Sequence, residues 1–336
     1  MSKNKVLMLA AVLFAVMFIG QALTYFAVPN RYDASAELSG SEITYTISTN
    51  SAVTYTVLVY DNAKETERLF IYYDESYAVQ GVTHAWQDRF IRQTISELSA
   101  RGFTGEIDIV NADELSVALA GSAGEGDAVL MTSGVLPATV YSDTENKMFD
   151  WVDAGGSLYW MGYAIGAMYA VGNELKDALP AYRTDIFGAD DCILMDQRRS
   201  AERSADPQDS ALSSGLMLNN NNLQFGLNAD EINSAGVHAA RSLGFEHEGY
   251  NSVVLVERGD GMICVLGGSL GSAERVSVSQ LISSGVTASS SLVDSVSGSI
   301  VRNTVTGTVD VTGGSDIGVH IRMGSPNIVY ARTFFF

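Results

Sequence analysis

The chain has 336 residues, with 20 Lys and Arg against 39 Asp and Glu, a formal charge of -19. An acidic surface of this size repels phosphate backbones, so no nucleic-acid partner is expected. Hydrophobic residues at 46% argue against a disordered chain, and two cysteines cannot build a zinc cage or a disulfide scaffold.

Residues 6–28 form an almost wholly apolar run, broken only by Gly20, Gln21 and Thr24. As a helix this run spans roughly 34 Å, enough to cross a hydrocarbon core. Lys3 and Lys5 precede it and no acid does, so the positive-inside rule leaves the N-terminus in the cytoplasm. Tyr25 and Phe26 fall where an interfacial belt sits, and Pro29 closes the helix. The alternative is a cleaved signal peptide, with an apolar region of about 7–15 residues and an A-x-A-like site. No clean site of that kind follows Gly20. Residues 1–28 are therefore expected to be a transmembrane signal-anchor in the cell membrane, with the bulk of the chain extracytoplasmic. Past that anchor, 20 − 2 = 18 basic residues face 39 acids, a net of -21 that suits a solvated exterior domain.

Residues 29–66 read as a β-rich segment. Glu42-Ile43-Thr44-Tyr45-Thr46-Ile47 alternates polar and apolar, and residues 53–60 do the same with more apolar content. From Arg68 the period changes. Leu69-Phe70-Ile71-Tyr72-Tyr73 is a short apolar run of the kind that forms a buried parallel strand. Val82, Trp86, Phe90, Ile91, Ile95 and Leu98 then recur at helical spacing, up to a C-terminal cap at Gly102. Strands at 107–110, 128–131 and 157–161 alternate with helices at 113–119, near 147–152 and at 165–179. Residues 67–271 are thus expected to be an α/β domain, a parallel sheet with helices on both faces.

The stretch 196–215 is polar, with Arg198, Arg199 and Arg203, and reads as a solvated loop; Asn219 to Asn222 reads as a turn. Residues 252–256 and 262–266 flank Asp260-Gly261, a strong hairpin signal. Residues 272–336 turn to Ser, Thr, Val and Gly with further strands, a β-rich C-terminal module. The two terminal β segments either complete one sandwich, extend the central sheet, or form separate sheets.

Three quoted stretches carry a family resemblance. Val129-Leu130-Met131-Thr132-Ser133-Gly134 is followed by Met148-Phe149-Asp150-Trp151-Val152-Asp153-Ala154-Gly155-Gly156-Ser157-Leu158-Tyr159-Trp160-Met161-Gly162. The late hairpin reads Gly259-Asp260-Gly261-Met262-Ile263-Cys264-Val265-Leu266-Gly267-Gly268. Together they resemble the class I glutamine amidotransferase-like superfamily, in its ThuA-like and ABC-transporter-auxiliary branches, over roughly residues 68–271. The resemblance implies an amidotransferase-like fold with a nucleophile elbow at Gly162-Tyr163-Ala164-Ile165-Gly166. It places the nucleophile at Ala164, whose methyl group cannot attack a carbonyl, and the histidine at residues 267–270, which hold Gly267, Gly268, Ser269 and Leu270. It therefore implies a degenerate elbow and no catalytic residue.

Cys192 and Cys264 lie in apolar runs and read as packing residues; a disulfide between them and a reactive thiol are the alternatives. His84 opens a helix, His238 precedes the late hairpin, and His320 alternates along a strand with no assigned role. Glu246-His247-Glu248 is too short a run to fold onto one ion, so no metal and no cofactor are expected. Asp190-Asp191 read as solvated loop carboxylates. Ligands of open parallel sheets sit beyond the carboxyl ends of the strands. Those ends are Asp74, Glu75 and Tyr77, then Ser133 and Gly134, then Tyr163, and they are expected around one crevice. The expected function is a non-catalytic binding or scaffold protein with protein partners in a membrane-associated complex. A cell-envelope hydrolase with a relocated site and a structural surface component are the alternatives.

Overall fold

A computed structural model describes residues 30–121, 124, 126–194, 202–203, 212–213, 216, 225–267, 272–311, 316–324 and 330–336. The anchor expected at 6–28, Arg198, Arg199 and the Asn219 to Asn222 run lie outside the described residues. Among the described residues no helix is long and apolar enough to cross a membrane.

Period-two alternation builds the first strands, β1 (Tyr32–Ser39), β2 (Glu42–Thr49) and β3 (Ala52–Asp61). In β2, Ile43, Tyr45 and Ile47 are buried and the residues between them are not. In β3, residues 57–60 are all buried, because both faces of that strand are covered. There follow β4 (Arg68–Tyr72), α1 (His84–Ala100), β5 (Glu106–Val110), α2 (Ala112–Ala120), β6 (Asp127–Met131), β7 (Leu136–Pro137), α3 (Lys147–Asp153) and β8 (Ser157–Met161). Helix α1 starts where Thr83 Oγ1 accepts a hydrogen bond from the Trp86 N–H at 3.2 Å. It buries Gln87, Phe90, Ile91, Thr94 and Leu98 along one stripe. Helix α2 starts on a capping box. Asn111 Oδ1 accepts from the Glu114 N–H, and the Glu114 carboxylate accepts from the Asn111 N–H.

The chain continues through β9 (Met168–Val171), β10 (Glu174–Asp177), α4 (Tyr182–Phe187), β11 (Ile193–Leu194), β12 (Glu202–Arg203) and β13 (Gly226–Leu227). Next come α5 (Ala229–Ala235), β14 (Ala239–Ser242), β15 (Phe245–His247), β16 (Tyr250–Asn251), β17 (Val253–Arg258) and β18 (Gly261–Leu266). The C-terminal part holds α6 (Ser272–Ser284), β19 (Ser291–Val301), β20 (Thr304–Asp310), β21 (Gly318–Met323) and β22 (Tyr330–Phe335).

The largest sheet has seven strands in the order β14-β17-β18-β8-β6-β4-β5. Strands β18, β8, β6, β4 and β5 run parallel, whereas β17 runs antiparallel to β18 and β14 antiparallel to β17. One face packs Phe70, Val129, Leu158 and Ile263 against Leu115 and Leu119 of α2 and Phe149 of α3. The other packs Leu69, Leu130, Tyr159 and Cys264 against Phe90 and Leu98 of α1 and Leu281 and Ile282 of α6. Beyond that second helix layer lies a sandwich of two sheets, β1-β2-β20 and β19-β3-β21-β22. The terminal segments therefore pair with each other: β3 lies between β19 and β21, and β2 pairs β20. Val57, Val59, Val319 and Ile321 fill the sandwich interior with Ile43 and Ile47, while Leu58 and Tyr60 reach back into the helix layer. Two small sheets complete the set, β10-β9-β7 and β11-β13-β16-β15-β12.

The expected fold class is corrected by this architecture. The described residues are β-rich, 43% in strands and 22% in helices, and form several sheets. The chain is not an α/β parallel-sheet protein of amidotransferase type with β-rich flanks, and its main sheet is mixed. The helix expected at 165–179 is also absent. Strands β9 and β10 form an antiparallel hairpin there, with Val171 paired to Glu174 across Gly172-Asn173. Gly172 takes a φ of 55°, which suits a two-residue hairpin turn and would cost a helix interior about 1 kcal/mol.

Candidate functional site

The turn after β8 is built from its glycines and one indole. Gly162 has a φ of 114° and Gly166 a φ of 76°. At Gly166 that φ is one L side chains rarely adopt, and an added Cβ would also press on Ile186 Cδ1, so glycine is favoured there. Trp160, fully buried, donates its Nε1–H to the Tyr163 carbonyl at 2.6 Å, and Tyr141 donates its hydroxyl to the Gly166 carbonyl at 3.1 Å. The turn is thus held from both sides, with Ala164 buried at its centre. An elbow of the catalytic kind joins a strand to a helix. Here the turn joins β8 to the β9–β10 hairpin, so that context is missing as well as a nucleophile.

The loops after β4, β6 and β8 emerge at one end of the sheet, because those strands are parallel. The Gln80 N–H donates to the Ser133 carbonyl at 2.8 Å, and the Gly81 backbone lies against the Tyr163 ring. The six residues expected around a crevice separate into structural and lining roles. Asp74 is structural. Its carboxylate accepts from the Ser76 hydroxyl at 2.5 Å, the Ser76 N–H at 2.9 Å and the Ala112 N–H at 3.1 Å. Burial alone would raise its pKa, but these hydrogen bonds outweigh burial and hold it below the usual carboxylate range. Glu75 is exposed and accepts from the Tyr73 hydroxyl at 2.7 Å. Tyr77 packs on the main core. Ser133 is fully buried and donates to the Val135 carbonyl at 2.6 Å, and Gly134 is pressed against the Gln80 backbone. Of the six, Tyr163 alone lines the cavity beside the turn after β8.

That cavity measures about 570 Å³, within the range of small-molecule sites. Gln80 enters from the β4 loop, Tyr163, Ala164 and Ala167 from the turn, and Met168 and Asp177 from the hairpin. Met168 and Asp177 face one another across β9 and β10, at the open end of that hairpin. Pro180, Tyr182 and Arg183 come from the start of α4, and Asp190 and Asp191 from the loop after it. Gln80 Nε2 reaches Met168 Sδ at 3.2 Å. Arg183 donates Nε–H to the Tyr182 hydroxyl at 3.2 Å and Nη1–H to the Asp190 carbonyl at 3.4 Å, with its guanidinium 5.6 Å from the Tyr182 ring centre. Thr184 donates its hydroxyl to Asp190 Oδ1. Asp177, Tyr182 and Arg183 were not legible as site residues. Reading Gly172-Asn173 as a hairpin turn would have brought Asp177 back beside Met168.

The cysteines are corrected on one point. Both are free and buried, and they sit on opposite faces of the main sheet, Cys192 with the α2 and α3 side and Cys264 with the α1 and α6 side. A disulfide between them is excluded by that placement. Burial pushes the Cys192 thiol up to about 12, and burial raises Cys264 as well. His84 starts α1, and burial lowers the His238 pKa. His247 Nε2 lies 3.8 Å from Glu248. Among the described residues no three His, Cys, Asp or Glu side chains converge on one point.

No family model matches the chain, and no curated protein does. Among solved structures, the exo-beta-1,4-mannosidase Op5Man5 from Opitutaceae bacterium strain TAV5 is similar with a TM-score of 0.36 and 13% identity. The match covers 65% of this chain and 34% of that one, so the chain spans about a third of the enzyme's length. Likeness at this score carries neither a fold nor an activity across.

Proposed function

We propose that the chain is a membrane-anchored, outward-facing binding protein that holds a small ligand without transforming it. The observation that carries this reading is the 570 Å³ cavity beyond the carboxyl end of β8, lined at its turn by the methyl group of Ala164. A methyl group has no lone pair for attack. The two thiols are buried and held as thiols, and neither lines the cavity. The apolar run at 6–28 behind Lys3 and Lys5, with the net charge of -21 beyond it, supports the outward placement. Protein partners in a membrane-associated complex would meet the same exposed part.

Two arms test this. Protease added to intact cells is expected to digest residues 30–336; protection of that part contradicts the outward placement. Purified full-length chain incubated with generic ester, amide and glycoside substrates is expected to leave them intact. Turnover that survives Cys192→Ser and Cys264→Ser contradicts the non-catalytic part.

A further inference from the structure

We infer that the cavity beside Tyr163 takes a small organic cation, an amine or quaternary ammonium with an apolar body. This deepens the binding reading above and rests on it. The charge of the lining decides the class. Among the described lining residues, Asp177, Asp190 and Asp191 face a single cation, Arg183. Arg183 is already committed: it donates to the Asp190 carbonyl and the Tyr182 hydroxyl, and lies over the Tyr182 ring. Asp190 is committed too, accepting from Thr184. Arg183 offsets one of the three negative charges, acting chiefly with Asp191, so the lining keeps a net charge of two negatives; the carboxylates left without a hydrogen-bond donor are those of Asp177 and Asp191. Among the described residues, neither of their carboxylates accepts a hydrogen bond or joins an ion pair.

The remaining walls are apolar or polarizable, supplied by Tyr163, Ala164, Ala167, Met168 and Pro180. Aromatic faces and carboxylates both attract a cation, and a thioether accommodates its methyl groups. A carboxylate or phosphate ligand would meet two uncompensated negative charges. A neutral polyol donates hydroxyl hydrogen bonds to those carboxylates but leaves their charge uncompensated. Asp177 and Asp191 are exposed at the rim, so their attraction is screened and must weaken with salt.

A charge-only ligand series tests the class. Choline, its neutral isostere 3,3-dimethylbutan-1-ol and the anion 3,3-dimethylbutanoate are titrated by calorimetry into full-length chain in a non-ionic detergent. Wild type, the double variant Asp177→Asn with Asp191→Asn, and the cavity-filling Ala167→Trp are compared, with melting curves to confirm folding. Choline is expected to bind at least about tenfold more tightly than the neutral isostere. That margin is expected to shrink in the double variant and at high salt, and binding to vanish in Ala167→Trp. If the neutral or anionic compound binds as well as choline and Ala167→Trp abolishes it, the cation class is wrong and the binding reading stands. Absence of choline binding overturns the cation class outright. Choline binding that Ala167→Trp leaves unchanged overturns the placement in this cavity.

Discussion

His320 is expected to make the folded protein lose stability in acid. It lies on β21, fully buried, on the face turned away from the sandwich interior. Its Nδ1 is 3.0 Å from Thr333 Oγ1, and its Nε2 has no hydrogen-bond partner among the described residues. Burial first, then the nearby guanidiniums of Arg322 and Arg101, drives its pKa down to about 3 from an ordinary 6.5. The unfolded chain therefore takes a proton below pH 6.5 that the folded chain refuses. Stability is complete above 6.5 and is lost as pH falls towards about 3. Each pH unit is worth about 1.4 kcal/mol, so two units of acidification below 6.5 remove roughly 2.7 kcal/mol, a large share of a typical 5–15 kcal/mol. Urea unfolding at neutral pH and at about pH 4.5 reads the loss. Carboxylate protonation contributes as well, so the comparison is with His320→Gln, which keeps a hydrogen-bonding partner for Thr333 and cannot titrate. Wild type should lose about 2–3 kcal/mol more than the variant on acidification. Equal losses in the two proteins would refute the burial argument.

Three further outcomes follow from named contacts. Trp160→Phe removes the donor to the Tyr163 carbonyl and should cost about 1–3 kcal/mol while loosening the turn that lines the cavity; urea unfolding checks the stability. Asp74→Ala removes the acceptor for Ser76 and Ala112 and should cost about 1–2 kcal/mol near neutrality. Because the Asp74 pKa is depressed, its contribution is present above the ordinary carboxylate value, so the gap between Asp74→Ala and wild type should close as pH falls through the lowered one. Cys192 and Cys264 should both react with a thiol reagent only on unfolding, and reductant should leave the melting curve unchanged; one disulfide found by mass spectrometry would contradict their placement.

The sequence was most legible where one period governs a segment. Strands with clean alternation, such as β2, are local statements that packing does not overturn; the late hairpin also forms, with its turn at Gly259-Asp260 one residue before the Asp260-Gly261 bend the sequence suggests. The β9–β10 segment shows the opposite case. Met168, Val171 and Leu175 fall at helical spacing, yet Gly172-Asn173 between them sets a turn, and pairing across that turn decides the structure. The cavity was hard to see for the same reason, since Asp177 and Met168 meet only through the hairpin. His320 and Arg322 were hidden differently. Val319-His320-Ile321-Arg322-Met323 reads as a strand with one wet face, whereas both faces are covered, one by the sandwich and one by the helix layer. A strand's own alternation cannot say what a distant helix will cover. Asp74 and Ser133 follow the carboxyl ends of β4 and β6, but the Asp74 carboxylate is spent on Ser76 and the Ala112 N–H, and the Ser133 hydroxyl on the Val135 carbonyl.

The central claim is that the cavity between Tyr163 and Asp177 is where a ligand sits. Ligand-observed NMR with a pool of small fragments, run on full-length wild type and on Ala167→Trp, tests it most directly. The account predicts fragments that bind wild type and are lost in Ala167→Trp, with melting curves that show both proteins folded. Fragments that bind both proteins alike would contradict it.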